Sequence, residues 1–255
     1  MSTTPKPSLP KLYLLDVEGT VSPVSLVYEQ LFPYAKKHMQ PYLRAHVREP
    51  WIDAGLAADL VLLAEENAAE AADSGAPKLV APEEEASWES AVPEAAAYLA
   101  WLMEQDRKST ALKALQGRVW RAGFEAGELV GTLFDDVPQA IARWNQHAPV
   151  AIYSSGSVEA QQLLFRHSSA GDLTPYLAGF FDTRVGAKTQ AASYAAIARA
   201  AQVEPDEILF FSDVLRELDP AREAGCQTRL VLREGNAPVA DYNGHIAIQS
   251  FIDVA

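Results

Sequence analysis

Strand signals fall very unevenly along this chain. The first is the short apolar run LYLL at 12–15. From there to residue 131, roughly a hundred residues read as almost continuously helical, far more than the crossover that links parallel strands needs. An inserted helical subdomain is the economical explanation. After residue 131 the rhythm changes, with strand signals at 149–154, 180–183, 208–212, 228–232 and 246–248. Helical stretches at 137–146, 158–167, 189–201 and 220–224 alternate with them. Strands and helices in alternation predict an α/β fold, a doubly wound parallel Rossmann-like sheet with helices on both faces. The expected domains are an α/β core from 1–25 and 130–255, interrupted by a helical domain over 26–129.

Within the insert, residues 26–47 carry Leu26, Leu31, Ala35 and Met39 as apolar punctuation, and Pro33 and Pro41 predict two or more short helices there. Residues 52–72 are rich in Ala and Leu and predict a helix. The segment SGAPKLVAPEEE at 74–85 predicts an exposed connection, and 88–115 resumes a helical pattern. Residues 1–10, with three prolines, predict a mobile arm.

Composition excludes several functions. A net charge of −13 and a pI near 4.8 argue against binding a phosphate backbone, which wants a basic face. No apolar run reaches the roughly 20 residues of a membrane span, and no basic-then-apolar leader opens the sequence. The single cysteine, Cys226, has no internal disulfide partner and reads as a buried structural thiol in a reducing compartment. A cytoplasmic, unanchored protein is expected.

Four strand or helix ends carry chemistry. The first strand runs directly into DVEGT at 16–20, placing Asp16 and Glu18 one residue apart at the strand's carboxyl end, where open α/β sheets bind ligands. Gly19 permits a sharp turn, and the Thr20 hydroxyl can fix the loop. Taken alone, DxEGT reads equally well as an acidic turn. The second strand enters SSGS at 154–157, where hydroxyls and free backbone N–H groups can receive phosphate oxygens. Ser157 reads more plainly as the cap of the next helix. Lys188 precedes a helix and suits phosphate neutralisation, although a solvated surface lysine is the commoner case. Asp213 follows the apolar strand ILFFS, a plausible place for a hard-cation ligand, with Glu217 four residues on to orient the metal's shell through water. Asp219-Pro220 reads as a helix cap followed by proline in the first turn.

Other motifs fail. GAKT at 186–189 lacks the spacing of a phosphate-binding Walker loop. His38, His46, His147, His167 and His245 show no zinc-ligand spacing. Neither a GxSxG elbow nor a GxGxxG fingerprint occurs. Trp51, Trp88, Trp101 and Trp120 in the insert read as core filling rather than pocket lining.

The order of these four features resembles the haloacid dehalogenase-like hydrolase superfamily, whose cap occupies the place of the insert. That resemblance implies Asp16 as the nucleophile that accepts a phosphoryl group, Ser154 and Lys188 as phosphate ligands, and Asp213 as a Mg²⁺ ligand. More narrowly, LLDVEGT at 14–20 with Ser22-Pro23, LFPY at 31–34, LQGRVW at 115–120 with Gly127-Glu128, YSSGSVEAQ at 153–161 and FSDVLRE at 211–217 are similar to the enolase-phosphatases of methionine salvage (acireductone synthases). The implied reaction enolises a 2,3-diketo-5-methylthiopentyl 1-phosphate and then dephosphorylates it to the acireductone. Glu18 would protonate the leaving enol oxygen, since a phosphatase needs an acid there. Asp16, Glu18 and Asp213 would hold one Mg²⁺ per subunit, and Ser155 would touch substrate. The resemblance implies a monomer with a small phosphorylated substrate, and the acidic charge and the lack of a long apolar run predict neither nucleic-acid nor membrane partners.

Overall fold

The computed structural model describes residues 9–48, 52–82 and 88–254. Most of the expected N-terminal arm, Trp51 and the triple Glu83–Glu85 lie outside them. The chain divides into two compact units, Met1–Val27 with Val130–Ala255, and Tyr28–Leu129.

The first unit is built on six parallel strands: β1 (Leu12–Leu15), β2 (Val150–Tyr153), β3 (Gly179–Phe181), β4 (Ile208–Ser212), β5 (Gln227–Val231) and β6 (Ile246–Ile248). Their order is β3-β2-β1-β4-β5-β6. β1 is therefore central, with Leu15 in register with Ile152 of β2 on one side and Phe211 of β4 on the other. β1, β2 and β4 are buried along their whole length, as strands covered on both faces must be. On one face Leu12, Leu14 and Phe210 pack with Tyr194 and Ile197 of α7 (Ala191–Ala201) and Leu218 and Ala221 of α8 (Leu215–Glu223). On the other, Tyr13 stacks at 4.7 Å on Trp144 of α5 (Val137–Trp144), which also meets Phe211 and Phe251 at 5.2 Å. Each fully buried aromatic contributes about 1.5–3 kcal/mol by leaving water. α6 (Val158–Arg166) begins at Ser157, whose hydroxyl accepts from the Ala160 N–H, so this serine is a cap.

The second unit has four helices: α1 (Phe32–His46), α2 (Ala54–Ala68), α3 (Trp88–Glu104) and α4 (Thr110–Glu125). Met39, Leu43, Leu60, Leu63, Leu99 and Leu115 form its core. Asp53 caps α2 by accepting from the Gly55 and Leu56 N–H groups. A π-helical stretch, Leu26–Leu31, leads straight into α1.

Four local expectations need correction. Pro41 does not end α1: Ala35, Met39 and Leu43 stay buried on one face, and that packing offsets the lost backbone hydrogen bond. The helical stretch from residue 88 is two helices, broken where Asp106 takes φ 48° and Ser109 caps α4 through the Leu112 N–H. The connection after residue 74 is not wholly exposed. Leu79 is buried, and the Asn67 amide holds it by donating to the Pro77 carbonyl and accepting from the Leu79 N–H, both at 2.8 Å. Asp219 is not a cap, since α8 starts at Leu215 and its buried face extends upstream of Pro220. Its carboxylate instead accepts from His245, Asn243 and Arg222.

Candidate active site

The strand order decides what meets Asp16. β1 lies between β2 and β4, so the turns after these three strands share one edge of the sheet, at the point where the chain's winding reverses. Asp16 is 4% exposed, and its backbone N–H continues the ladder to the Phe211 carbonyl at 3.0 Å. The next four residues fold back tightly, with Thr20, Val21 and Ser22 all donating from their N–H groups to the Val17 carbonyl. Gly19 adopts φ +75°, and a Cβ there would lie 2.5 Å from Asp213 Oδ2, so only glycine fits.

Thr20 joins the two metal-ligand candidates. Its hydroxyl lies 3.3 Å from Asp16 Oδ2 and 3.4 Å from Asp213 Oδ1, and accepts from the Asp213 N–H at 3.1 Å. The lone hydroxyl proton serves one carboxylate at a time. The other side of Asp16 is met directly by the Lys188 ammonium, which is 8% exposed and also pairs with Glu217 at 2.6 Å. Glu217 accepts from Ser212 Oγ at 3.0 Å. This carboxylate therefore works on the lysine, whereas the sequence suggested a role in a metal's water shell.

The Lys188 loop is held by three hydroxyls in succession. Tyr153 donates to the Gly186 carbonyl, Ser193 to Ala187 and Tyr194 to Lys188, each at 2.8 Å. Lys188 thus projects from a rigid backbone and is not a solvated surface lysine. Burial opposes its charge, but Asp16 and Glu217 outweigh that and raise its pKa above the ordinary lysine value.

The acids feel the opposite balance. Burial, reinforced by Asp16, pushes the Asp213 carboxyl up to about 7. The same two causes raise Glu217 and Glu18. Buried carboxylates crowded around one ammonium carry excess negative charge in an all-oxygen setting, the donor chemistry a hard divalent cation takes. Among the described residues no three Asp, Glu, His or Cys side chains converge as a metal cage. Thr20 links two of the three expected ligands, Asp16 and Asp213, and Glu18 stands two residues after Asp16 on the same turn. A Mg²⁺ ion, which keeps several waters and takes one or two carboxylates, fits such a pair.

Ser154 is buried beside this set; its Oγ accepts from the Gly156 N–H at 3.1 Å, and its own N–H donates to Phe181 O. Ser155 is exposed on the same turn. Two site residues left no signal in the sequence, Arg233 and Asn236. They sit in the connection between β5 and β6, whose REGN run at 233–236 reads only as a turn. Arg233 Nε donates to the Thr20 carbonyl at 3.1 Å and Asn236 Nδ2 to the Gly19 carbonyl at 2.8 Å.

The helical unit has a groove of its own, about 420 Å³, lined by Tyr28, Phe32, Met103, Leu112, Lys113 and Gln116 among others. No tryptophan lines it: Trp88 is in the core, Trp101 packs against that core, and Trp120 donates from Nε1 to the Leu31 carbonyl. Among the described residues no helix is long and apolar enough to cross a membrane.

Comparison with known proteins agrees with this architecture. A family model of haloacid dehalogenase-like hydrolases matches residues 10–225. Enolase-phosphatase E1 of Synechococcus elongatus is 48% identical over 89% of this chain and 90% of its own length. Enolase-phosphatase E1 of Pseudomonas fluorescens is 43% identical over 96% of each chain. The crystal structure of the Unknown transcript 4 protein of Saccharomyces cerevisiae superposes with a TM-score of 0.74 at 32% identity, covering 96% of this chain and all of that one.

Proposed function

We infer, for a chain that belongs to the haloacid dehalogenase-like hydrolases and within them to the enolase-phosphatase E1 family, that it is the enolase-phosphatase of methionine salvage. Its substrate is then 2,3-diketo-5-methylthiopentyl 1-phosphate, and its products are 1,2-dihydroxy-3-keto-5-methylthiopentene and inorganic phosphate. The observation that carries the reading is Asp16 at the end of β1, fixed between the Lys188 ammonium and the Thr20 hydroxyl, with Glu18 two residues on.

Asp16 is the nucleophile. One of its oxygens attacks phosphorus in line, the bond from phosphorus to the enol oxygen breaks, and that oxygen takes a proton from Glu18. The upward displacement of the Glu18 pKa by burial and Asp16 supports this role, because it keeps the acid protonated closer to neutrality. Glu18, now a carboxylate, removes a proton from water, and the resulting hydroxyl oxygen attacks the aspartyl-phosphate. Phosphate leaves and Asp16 is restored. Lys188 neutralises phosphoryl oxygens, and Ser154 and Ser155 bind substrate from the turn after β2. Mg²⁺ would be held by the Asp16 and Asp213 carboxylates and supplies further charge neutralisation at the phosphoryl group. The enolisation that comes first needs a base to take a proton from the carbon that bears the phosphate while the neighbouring carbonyl oxygen gains one. Glu18, whose carboxylate accepts no hydrogen bond among the described residues, is our assignment for it as well.

The same reading takes the protein as a cytoplasmic monomer with a small-molecule substrate. A single buried cysteine suits a reducing compartment. The test is incubation of the pure protein with the diketo phosphate and Mg²⁺. Release of phosphate together with an oxygen-sensitive acireductone is expected; a folded protein that yields neither overturns the assignment. A substrate panel in which a sugar phosphate clearly outcompetes the diketo phosphate would leave a phosphatase of the same family acting on another metabolite.

A further inference from the structure

We propose that Asn236 is a positioning residue of the metal site, a role that rests on Asp16 and Asp213 holding Mg²⁺. A side-chain amide nitrogen carries two hydrogens. In Asn236 one goes to the Gly19 carbonyl at 2.8 Å and the other to Asp213 Oδ2 at 2.9 Å. This single group ties the turn that follows the nucleophile to the carboxylate that follows β4, across 217 and 23 residues of chain respectively.

The consequence for Asp213 is geometric. With Oδ2 committed to Asn236, rotation of the carboxylate is stopped, and Oδ1 is left near Thr20 Oγ1 on the side of Asp16. Space on the Asn236 side is already tight, since a Cβ on Gly19 would stand 2.5 Å from Asp213 Oδ2 and 3.0 Å from the Asn236 nitrogen. A ligand held in one orientation before the cation arrives loses less freedom on binding it.

Asn236 is itself well anchored. Its N–H donates to the Arg233 carbonyl at 3.2 Å. Arg233, with a side chain only 6% exposed, donates from Nη1 to Asp136 at 3.0 Å and to the Gln249 carbonyl at 3.2 Å. Its guanidinium lies 4.4 Å and 4.8 Å from the ring centroids of Phe134 and Phe251. The connection between β5 and β6 therefore acts as a brace on the nucleophile's turn, with Arg233 as its fixed end and Asn236 as its working end.

Calorimetric titration with Mg²⁺ of the wild-type protein, Asn236→Ala and Asn236→Ser tests this. Both variants should bind Mg²⁺ about 10–100-fold more weakly. The thermal midpoint of the Mg²⁺-free protein should change little, while the rise in midpoint on adding Mg²⁺ shrinks. A purely structural role would lower the midpoint equally with and without Mg²⁺ and leave the Kd unchanged; that outcome in either folded variant overturns the proposal. A wild-type protein that binds no Mg²⁺ overturns the metal site itself and this inference with it.

Discussion

The two units of this protein bury very different things. The helical unit has an apolar core of Leu, Ala, Val, Trp and Tyr, and its buried polar residues among those described are Ser109 and Gln116. Ser109 is explained by capping α4 and bonding to Glu66. Ion pairs such as Lys36 with Glu104 and Arg48 with Glu89 lie at its surface. The α/β unit buries Asp16, Thr20, Ser154, Asp182, Lys188 and Ser212 alongside its aromatics. Buried charge costs stability unless it is paired, and even a good pair is weak evidence of a gain. The difference teaches where selection for chemistry has acted: one core is assembled for stability, and the other accepts a penalty at one sheet edge.

Substitutions can break or sharpen that contrast. The largest effect is expected for Asp16→Asn, which keeps shape and removes the nucleophile. Phosphate release should fall by roughly 10⁴-fold or more with an unchanged far-UV spectrum, and near-normal turnover would refute the nucleophile. Glu18→Gln comes next, at about 10²–10⁴-fold. Its cost should grow as the leaving group becomes poorer; an equal loss for good and poor leaving groups would argue against proton donation.

In the helical unit, Leu99→Ala removes a fully buried side chain and should cost about 2–5 kcal/mol in denaturant unfolding. A loss below about 1 kcal/mol would mean that this core is looser than its packing indicates. Asp213→Asn should run the other way in the Mg²⁺-free protein. The folded carboxyl sits at about 7, above its unfolded value of about 3.9. Between those values the native state holds a proton that the unfolded chain has released, so stability drains away as pH rises from about 4 to about 7. The amide escapes that penalty. Thermal melts should show the variant more stable by about 1–2 kcal/mol at pH 8 and equal to wild type below pH 4, while it is inactive throughout. A variant less stable at pH 8 would show that Asp213 is not a strained group. The smallest effect is expected for Lys36→Ala, about 0.5 kcal/mol or less, because both partners are exposed and screened.

Much of the architecture was legible along the chain. LYLL followed by DVEGT is a strand and a turn by local pattern, and β1, β2, β3 and β4 lie where apolar runs end in Ser or Asp. The carboxyl ends of β1, β2 and β4 and the loop before α7 carry the expected Asp16, Ser154, Asp213 and Lys188. Local signals also misled. Asp219-Pro220 has the form of a cap, but α8 begins five residues before the proline and already buries Leu218. Pro41 has the form of a break, but Met39 and Leu43 hold α1 together around it.

What sequence alone determined here is the kind of residue delivered to each strand end, because strand, turn and cap preferences act over a few neighbouring positions. Which of those ends meet was decided by the sheet. The order β3-β2-β1-β4-β5-β6 brings Thr20 against Asp213 across 193 residues and Lys188 against Asp16 across 172. Tertiary structure also turned Glu217 toward Lys188 and brought Arg233 and Asn236 back over the turn at Gly19 and Thr20. No periodicity encodes such contacts, because they depend on strand order and on the path of a loop. The first stretch of the chain thus names its own chemistry, and the last strand connection supplies the side chains that hold it in place.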